Sequence, residues 1–338
     1  MIPKAQLAAD TWRLVGNGHG LSAPLRWRGL LVLNYHRIGD WTQSPLDRGV
    51  YSTTAEGFAA QMAYLAREFE VITLDDLPHA RRDPKGRYVM VSFDDGYRDN
   101  YEVAFPVLKR ERIPGTFFIA TGFLDDTPLA WWDRIAYTVR TAGEAGLRQL
   151  PERLETWGTP LTLSDPASRE LAIKTVLKTY YRLPSTKTAA FLADLREITA
   201  VDAPDGLTDD LWMTWGNVRE LRLAGMGIGA HTVTHPLLAR LGPAEQVEEI
   251  RGCKERLLAA AGVRTRGFAY PVGSPDSFTT MTRAILLANG FDLAFSFYGG
   301  HQTMAELDSL DIRRTSIGVT IDQKMFEAKT TLPRVFAR

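Results

Sequence analysis

Two short runs of residues have the types and spacing for hydrolytic chemistry: Asp94-Asp95-Gly96 and His231-Thr232-Val233-Thr234-His235. The aspartates follow Tyr88, Val89, Met90, Val91 and Phe93, interrupted only by Ser92. That run reads as a strand buried on both faces. Two adjacent carboxylates at the end of such a strand repel each other and resist desolvation. A metal ion relieves that cost, and Gly96 lets the backbone turn sharply beside it. A strand-ending Asp-Gly turn accounts for the same residues without an ion.

The histidine run narrows the choice. A Gly-rich strand, Met226–Ala230, leads into His231, and Pro236 biases His235 away from helical geometry. The pair therefore sits on a strand-to-helix loop, where α/β enzymes carry their sites. A lone histidine is more often a satisfied core or surface group, but two on one loop, in a chain with six, favour a metal. One aspartate with two histidines leaves an open coordination position, the arrangement of a catalytic ion. Such an ion acidifies water and polarises a carbonyl, and the second carboxylate is free to take a proton.

These groups share one face only if a repeating frame delivers them there. Strands are expected at Leu30–Tyr35, Glu70–Leu74, Arg87–Phe93, Thr116–Thr121, Met226–Ala230, Gly267–Tyr270, Asp292–Phe297 and Ile312–Ile317. Helical stripes separate them: Phe58, Met62 and Leu65 behind a Thr53/Glu56 capping box, then Tyr101, Phe105 and Leu108, then Pro243–Ala261 closed by Gly262. Further helices are expected at Trp215–Ala224 and Thr279–Asn289. This alternation predicts an α/β fold with a parallel sheet, open or closed into a barrel. It stops between Asp125 and Asp210, where Trp132–Thr141, Ser168–Arg182 and Lys187–Ile198 read as helices of an insertion opened by Trp131 and Trp132. Those tryptophans are packing residues or a stacking surface for a sugar. The expected organisation is an N-terminal extension (1–28), barrel segments 29–124 and 211–325 around the insertion 125–210, and a C-terminal tail (326–338).

Composition excludes several classes. With 40 basic and 40 acidic residues, the chain has no electrostatic footprint for bulk nucleic-acid binding. Its single cysteine, Cys253, rules out an intrachain disulfide or a cysteine-rich zinc site and reads as core filler. No apolar run is long enough for a transmembrane helix, and Asp10 and Arg13 interrupt any signal-peptide core. A cytoplasmic protein is expected, with peripheral contact at the inner membrane face left open.

Ser92–Tyr97 (SFDDGY), His231–His235 (HTVTH) and Phe268–Gly273 (FAYPVG) resemble, in order, the first three motifs of the polysaccharide deacetylases, carbohydrate esterase family 4. The resemblance covers roughly Leu30–Asp125 and Leu211–Ile317. It implies a distorted (β/α) barrel of about seven strands and a carbohydrate substrate. Carried over by position, Asp95, His231 and His235 resemble the metal ligands, and Asp94 the base that activates water. The Tyr97 backbone N–H resembles an oxyanion donor, and Tyr270 and Pro271 lie in a substrate-lining motif.

The chain departs from that pattern twice. The family's C-terminal Leu-x-His acid is missing, since His301 follows Gly299-Gly300. Tyr35-His36 instead matches a sub-branch, active on poly-N-acetylglucosamine, that takes its general acid from an N-terminal strand. His19, His79 and His301 read as loop or surface residues. The third motif has Ala269 where the family carries an arginine that holds the catalytic aspartate, and Arg314 is the first candidate to replace it. The expected activity is metal-dependent removal of an N-acetyl group from a carbohydrate, with zinc as the ion and cobalt, nickel or manganese also suited to the ligands. Three rivals remain: a same-fold amidase on a non-sugar amide, a deacetylase of a lipid-linked sugar, and a carbohydrate-binding relative without turnover.

Overall fold

The computed structural model describes residues 27–143 and 165–335. Its strands are Gly29–Tyr35 (β1), Arg37–Ile38 (β2), Tyr51–Thr53 (β3), Glu70–Ile72 (β4), Arg87–Phe93 (β5), Thr116–Ile119 (β6), Gly227–Ala230 (β7), Gly267–Ala269 (β8), Leu293–Phe295 (β9) and Arg314–Ser316 (β10). Except for the small β2–β3 pair, they form one parallel sheet in the order β10-β1-β5-β6-β7-β8-β9, with β4 beside the first half of β5. Backbone bonds from Ser296 N to Ile312 O and from Ile312 N to Ala294 O join β9 to the segment leading into β10. The ring is thereby nearly closed into a barrel.

Period-two alternation explains how the barrel fills. Leu30 and Val32 of β1, Tyr88 and Met90 of β5, Phe118 of β6, Ala269 of β8, and Leu293 and Phe295 of β9 belong to one buried apolar cluster. Five of the seven strands in the ring order, β1, β5, β6, β8 and β9, contribute to it, so it is the barrel's interior. On the same alternation Asn34 follows Val32 and Ser92 follows Met90, so an apolar floor gives way to a polar layer at the strands' C-terminal ends. The opposite faces pack outward on aromatic rings, with Phe93 stacked on Phe117 (4.7 Å) and Tyr35 edge-on to Phe58 (5.3 Å). Phe58 comes from the helix Ala55–Glu68, whose buried Phe58, Met62 and Leu65 follow the expected stripe.

The β1–β5 register pairs Tyr35 with Phe93. His36 and Asp94 therefore leave the barrel at the same level, and Asp94 N donates to Tyr35 O (3.1 Å).

Several boundaries differ from the sequence reading for local reasons. Thr54, not Thr53, caps the helix, its hydroxyl accepting from Gly57 N (3.0 Å), because Thr53 is still paired with Ile38 in β3. Thr121 opens the helix Thr121–Asp126 instead of ending a strand. Phe326, expected in a tail, is buried in the helix Gln323–Thr331, which starts from an Asp322 cap. The expected N-terminal extension up to residue 26, and residues 144–164 of the insertion, lie outside the described residues.

The chain divides into two compact units. The first holds the barrel. The second comprises Asp126–Trp212 with Trp41–Val50, a segment the sequence reading left in the barrel. Asp47 N donates to Asp133 Oδ1 (2.9 Å) and Arg140 Nη1 to Leu46 O (2.7 Å), which ties that segment to the helix Trp131–Thr141. This helix packs with Pro166–Arg182 and Ser185–Thr199 around Ile135, Val139, Ile173, Val176 and Leu195. Trp131 stacks on Tyr180 (4.4 Å) and Trp132 is buried edge-on to it, so both rings are engaged in this unit's own packing. Among the described residues no helix is long and apolar enough to cross a membrane.

Candidate metal centre

The floor of the site is the turn after β5. Asp95 and Gly96 both take positive φ, 75° and 96°. Aspartate tolerates the left-handed region, and glycine is needed next because a Cβ there would meet Leu124 at 3.0 Å. The turn sets the two carboxylates on different tasks.

Asp95 Oδ1 lies 3.4 Å from His231 Nε2 and 3.4 Å from His235 Nε2, and all three residues are buried. Two ligand atoms each about 2.1 Å from one ion at the tetrahedral angle stand about 3.4 Å apart. The oxygen is buried without a hydrogen-bond partner, a costly arrangement for a carboxylate unless a cation joins it. His231 Nδ1 lies 2.8 Å from Ala269 O, which leaves Nε2 turned toward Asp95. Burial pushes His235 down to about 4, so its imidazole is neutral and its Nε2 lone pair can ligate. The donor set fits a divalent ion.

Asp94 is held differently. Its Oδ1 accepts from Arg314 Nη1 (2.7 Å) and its Oδ2 from Asn34 Nδ2 (3.1 Å). Arg314 is 1% exposed although it is a full guanidinium, and it also donates through Nη1 to Asn34 Oδ1 (2.7 Å) and through Nε to Ser296 O (2.9 Å). Ser92 Oγ completes the layer by donating to Asn34 Oδ1 (2.7 Å). Burial pushes the Asp94 carboxyl up, but Arg314, with His231 and His36, more than offsets this and holds it well below the usual carboxylate range. Asp94 is therefore ionised, with Oδ2 facing the two histidines, 4.0 Å from His36 Nε2 and 4.0 Å from His231 Nε2.

His36 stands partly exposed, its ring 5.5 Å from Phe297. Its backbone is fixed on both sides. His36 N donates to Ser52 Oγ (2.9 Å), and its carbonyl accepts from Asn100 Nδ2 (2.6 Å), which projects from a π turn at Asn100–Ala104. Asp99 accepts from Ile38 N and from Arg37 Nε, both at 3.0 Å.

The structure thus brings Asp94, Asp95, His231, His235, His36 and Arg314 together, and Tyr97 follows directly on the Asp95–Gly96 turn. Tyr270 and Pro271 are buried. The Tyr270 ring stacks on Phe278 (3.9 Å) and its hydroxyl donates to Leu310 O (2.9 Å). Tyr270 and Pro271 follow directly on β8. Trp131 and Trp132 belong to the second unit. The sequence reading missed Asn34, Ser92 and Asn100. Asn34 and Ser92 did leave a signal, each being a polar residue that interrupts an apolar run near its C-terminal end, on its inward alternation.

The family model for polysaccharide deacetylases matches residues 81–150 and 172–294. Among curated proteins, the poly-beta-1,6-N-acetyl-D-glucosamine N-deacetylase of Staphylococcus epidermidis is 32% identical over 111 residues, and that of Staphylococcus aureus is 31% identical over 108. Those matches cover 29% and 28% of this chain and 38% and 37% of the relatives, so the similarity spans well under half of each. Among solved structures, the Streptococcus pyogenes deacetylase PplD in complex with acetate superposes with a TM-score of 0.57 at 16% identity, over 90% of this chain and 97% of that one. IcaB from Ammonifex degensii gives 0.52 at 22%, over 91% and 98%. At such identities the structural likenesses speak for the fold.

Proposed function

Because this chain belongs to the polysaccharide deacetylase family, we propose that it is a metal-dependent hydrolase that removes N-acetyl groups from an N-acetylated sugar or polysaccharide. The observation that carries this reading is the division of labour between the two aspartates. One faces two imidazoles with a bare oxygen, and the other is kept ionised by a buried arginine. A pure sugar-binding module has no use for the second. The substrate for which the Staphylococcus relatives are named supports an N-acetylglucosamine polymer, as does the Tyr35-His36 pair.

Asp95, His231 and His235 would hold a divalent ion, with zinc the natural fit, and the chemistry it would supply when bound is acidification of water and polarisation of the acetyl carbonyl. Asp94 Oδ2 takes the proton of the attacking water, while Arg314 and Asn34 fix the carboxylate's plane. The Tyr97 backbone N–H donates to the carbonyl oxygen as its charge develops. His36 Nε2, across from Asp94 Oδ2, gives its proton to the departing amine.

The direct test is acetate release from N-acetylglucosamine oligomers by protein stripped with a chelator and then reloaded. Activity should vanish on stripping and return with about one equivalent of zinc. Undiminished release by protein shown to be metal-free would sink the reading. His36→Ala should lower kcat about 10²–10⁴-fold, the usual worth of a general acid, with metal content unchanged. Unaltered kinetics in that variant would remove His36 from the proton path.

A further inference from the structure

The loop that carries both histidines is strained. Thr232 (φ 67°) and His235 (φ 57°) are non-glycine residues in the left-handed region, and for a β-branched residue such as threonine this is an outlier. Something must hold the loop there, and bonds within it supply only part of the restraint: Thr232 Oγ1 donates to His231 O and accepts from His235 N (3.0 Å).

The rest comes from outside. Glu249, half-buried on the helix Pro243–Ala261, accepts at Oε2 from Val233 N (2.8 Å) and Thr234 N (2.9 Å). Its Oε1 accepts from Thr234 Oγ1 (2.6 Å). One carboxylate therefore takes the two consecutive N–H groups lying between the ligands. On the other side Thr121 N donates to Thr232 O (3.1 Å) and Gly122 N to Val233 O (2.9 Å). Two glycines let the walls close in. A Cβ on Gly122 would lie 2.8 Å from Val233 O, and one on Gly252, a turn beyond Glu249, would lie 3.2 Å from the Val233 side chain.

From this geometry we propose that Glu249 is the positioning residue of the metal centre, clamping the His231–His235 loop in its ligating shape before an ion arrives. The inference rests on the metal-site reading above and adds how the site is preformed. A carboxylate accepting two backbone N–H bonds is a charge-assisted, directional restraint, and groups that orient ligands in this way typically carry 10–100-fold of metal affinity.

The test uses the full chain, metal-stripped, with two readouts that need no turnover: zinc affinity by chelator competition, and amide hydrogen exchange. In the wild type, Val233 and Thr234 should be protected without metal. Glu249→Ala should speed exchange at those two amides, leave β5 as protected as before, and bind zinc about 10–100-fold more weakly. Glu249→Gln keeps an oxygen that can accept both N–H bonds and should recover most of the affinity. Wild-type zinc affinity in Glu249→Ala, or exchange rising equally across β5, overturns the clamp. If that variant does not fold, Thr234→Val removes only the Oε1 bond and should weaken zinc severalfold, and no change there overturns the clamp as well. A wild-type chain that binds no zinc refutes the metal site itself, a distinct result from a failed clamp.

Discussion

Asp94→Asn should lower kcat for acetate release about 10²–10⁴-fold while one equivalent of metal stays bound. The substitution is nearly isosteric and leaves Asp95, His231 and His235 untouched, so the ion has no reason to leave. What is lost is the proton acceptor. An amide cannot take the proton that Oδ2 takes, and its NH2 group would face Asn34 Nδ2, itself a donor. The variant also strips Arg314 of its counter-charge in a fully buried setting. A stability loss of about 3–5 kcal/mol, typical of breaking a buried pair from one side, should accompany the loss of rate. Kinetics therefore need to be measured well below the melting transition, with metal content by elemental analysis on the same sample. Loss of metal would mean that the two carboxylates have exchanged roles. Retained turnover would mean that another group accepts the proton.

The parts of this site legible in the sequence were those whose meaning is local. An apolar run ending in Asp94-Asp95-Gly96 states its own burial, and the histidine pair before Pro236 states its loop. Family resemblance then assigned which carboxylate does what. The residues that escaped act across long distances in sequence or through backbone. Asn34 touches Asp94, 60 positions on, and Arg314, 280 positions on, and its type alone announces no partner. Taking the alternation Leu30, Val32, Asn34 literally would have placed a polar side chain inside the barrel, one step above its apolar floor. Glu249 is one of several glutamates on its helix, and nothing in the sequence says that it caps backbone amides of a loop about fifteen residues earlier. The capping box expected at Thr53 falls one residue later, at Thr54, because strand pairing holds Thr53 in β3. Arg314 was nameable only as a candidate, because a guanidinium on a short late strand suits a surface ion pair equally well. What distinguishes it is the parallel β1–β10 register, which sets it beside Val32 and below Asn34.

Arg314→Met should prove nearly as damaging as loss of the base, for a different reason. Ala269, at the position of the family's third-motif arginine, contributes only its carbonyl, to His231. Among the described residues, the guanidinium hydrogen-bonded to Asp94 comes from β10. Methionine fills much of the same volume between the Phe118 and Phe297 rings, so the cavity cost is small. It leaves Asp94 buried without a cation, however, and Asn34 Oδ1 without one of its two donors. We expect about 3–5 kcal/mol of lost stability in urea melts. A kcat lowered about a hundredfold should follow from a base displaced by about 1 Å, with KM little changed because Arg314 is buried away from any sugar. Arg314→Lys should fall between, since an ammonium restores the charge but not the guanidinium's fork, which reaches Asp94, Asn34 and Ser296 together. The double variant Arg314→Met/Asp94→Asn separates the two effects. With both charges gone, much of the stability should return, as buried pairs replaced from both sides often allow, whereas turnover should stay as low as in Asp94→Asn alone. Independent, additive losses of stability would mean that the 2.7 Å contact contributes no coupling. Full kcat in Arg314→Met would show that the arginine only fills the barrel and that Asp94 is oriented by Asn34 without it.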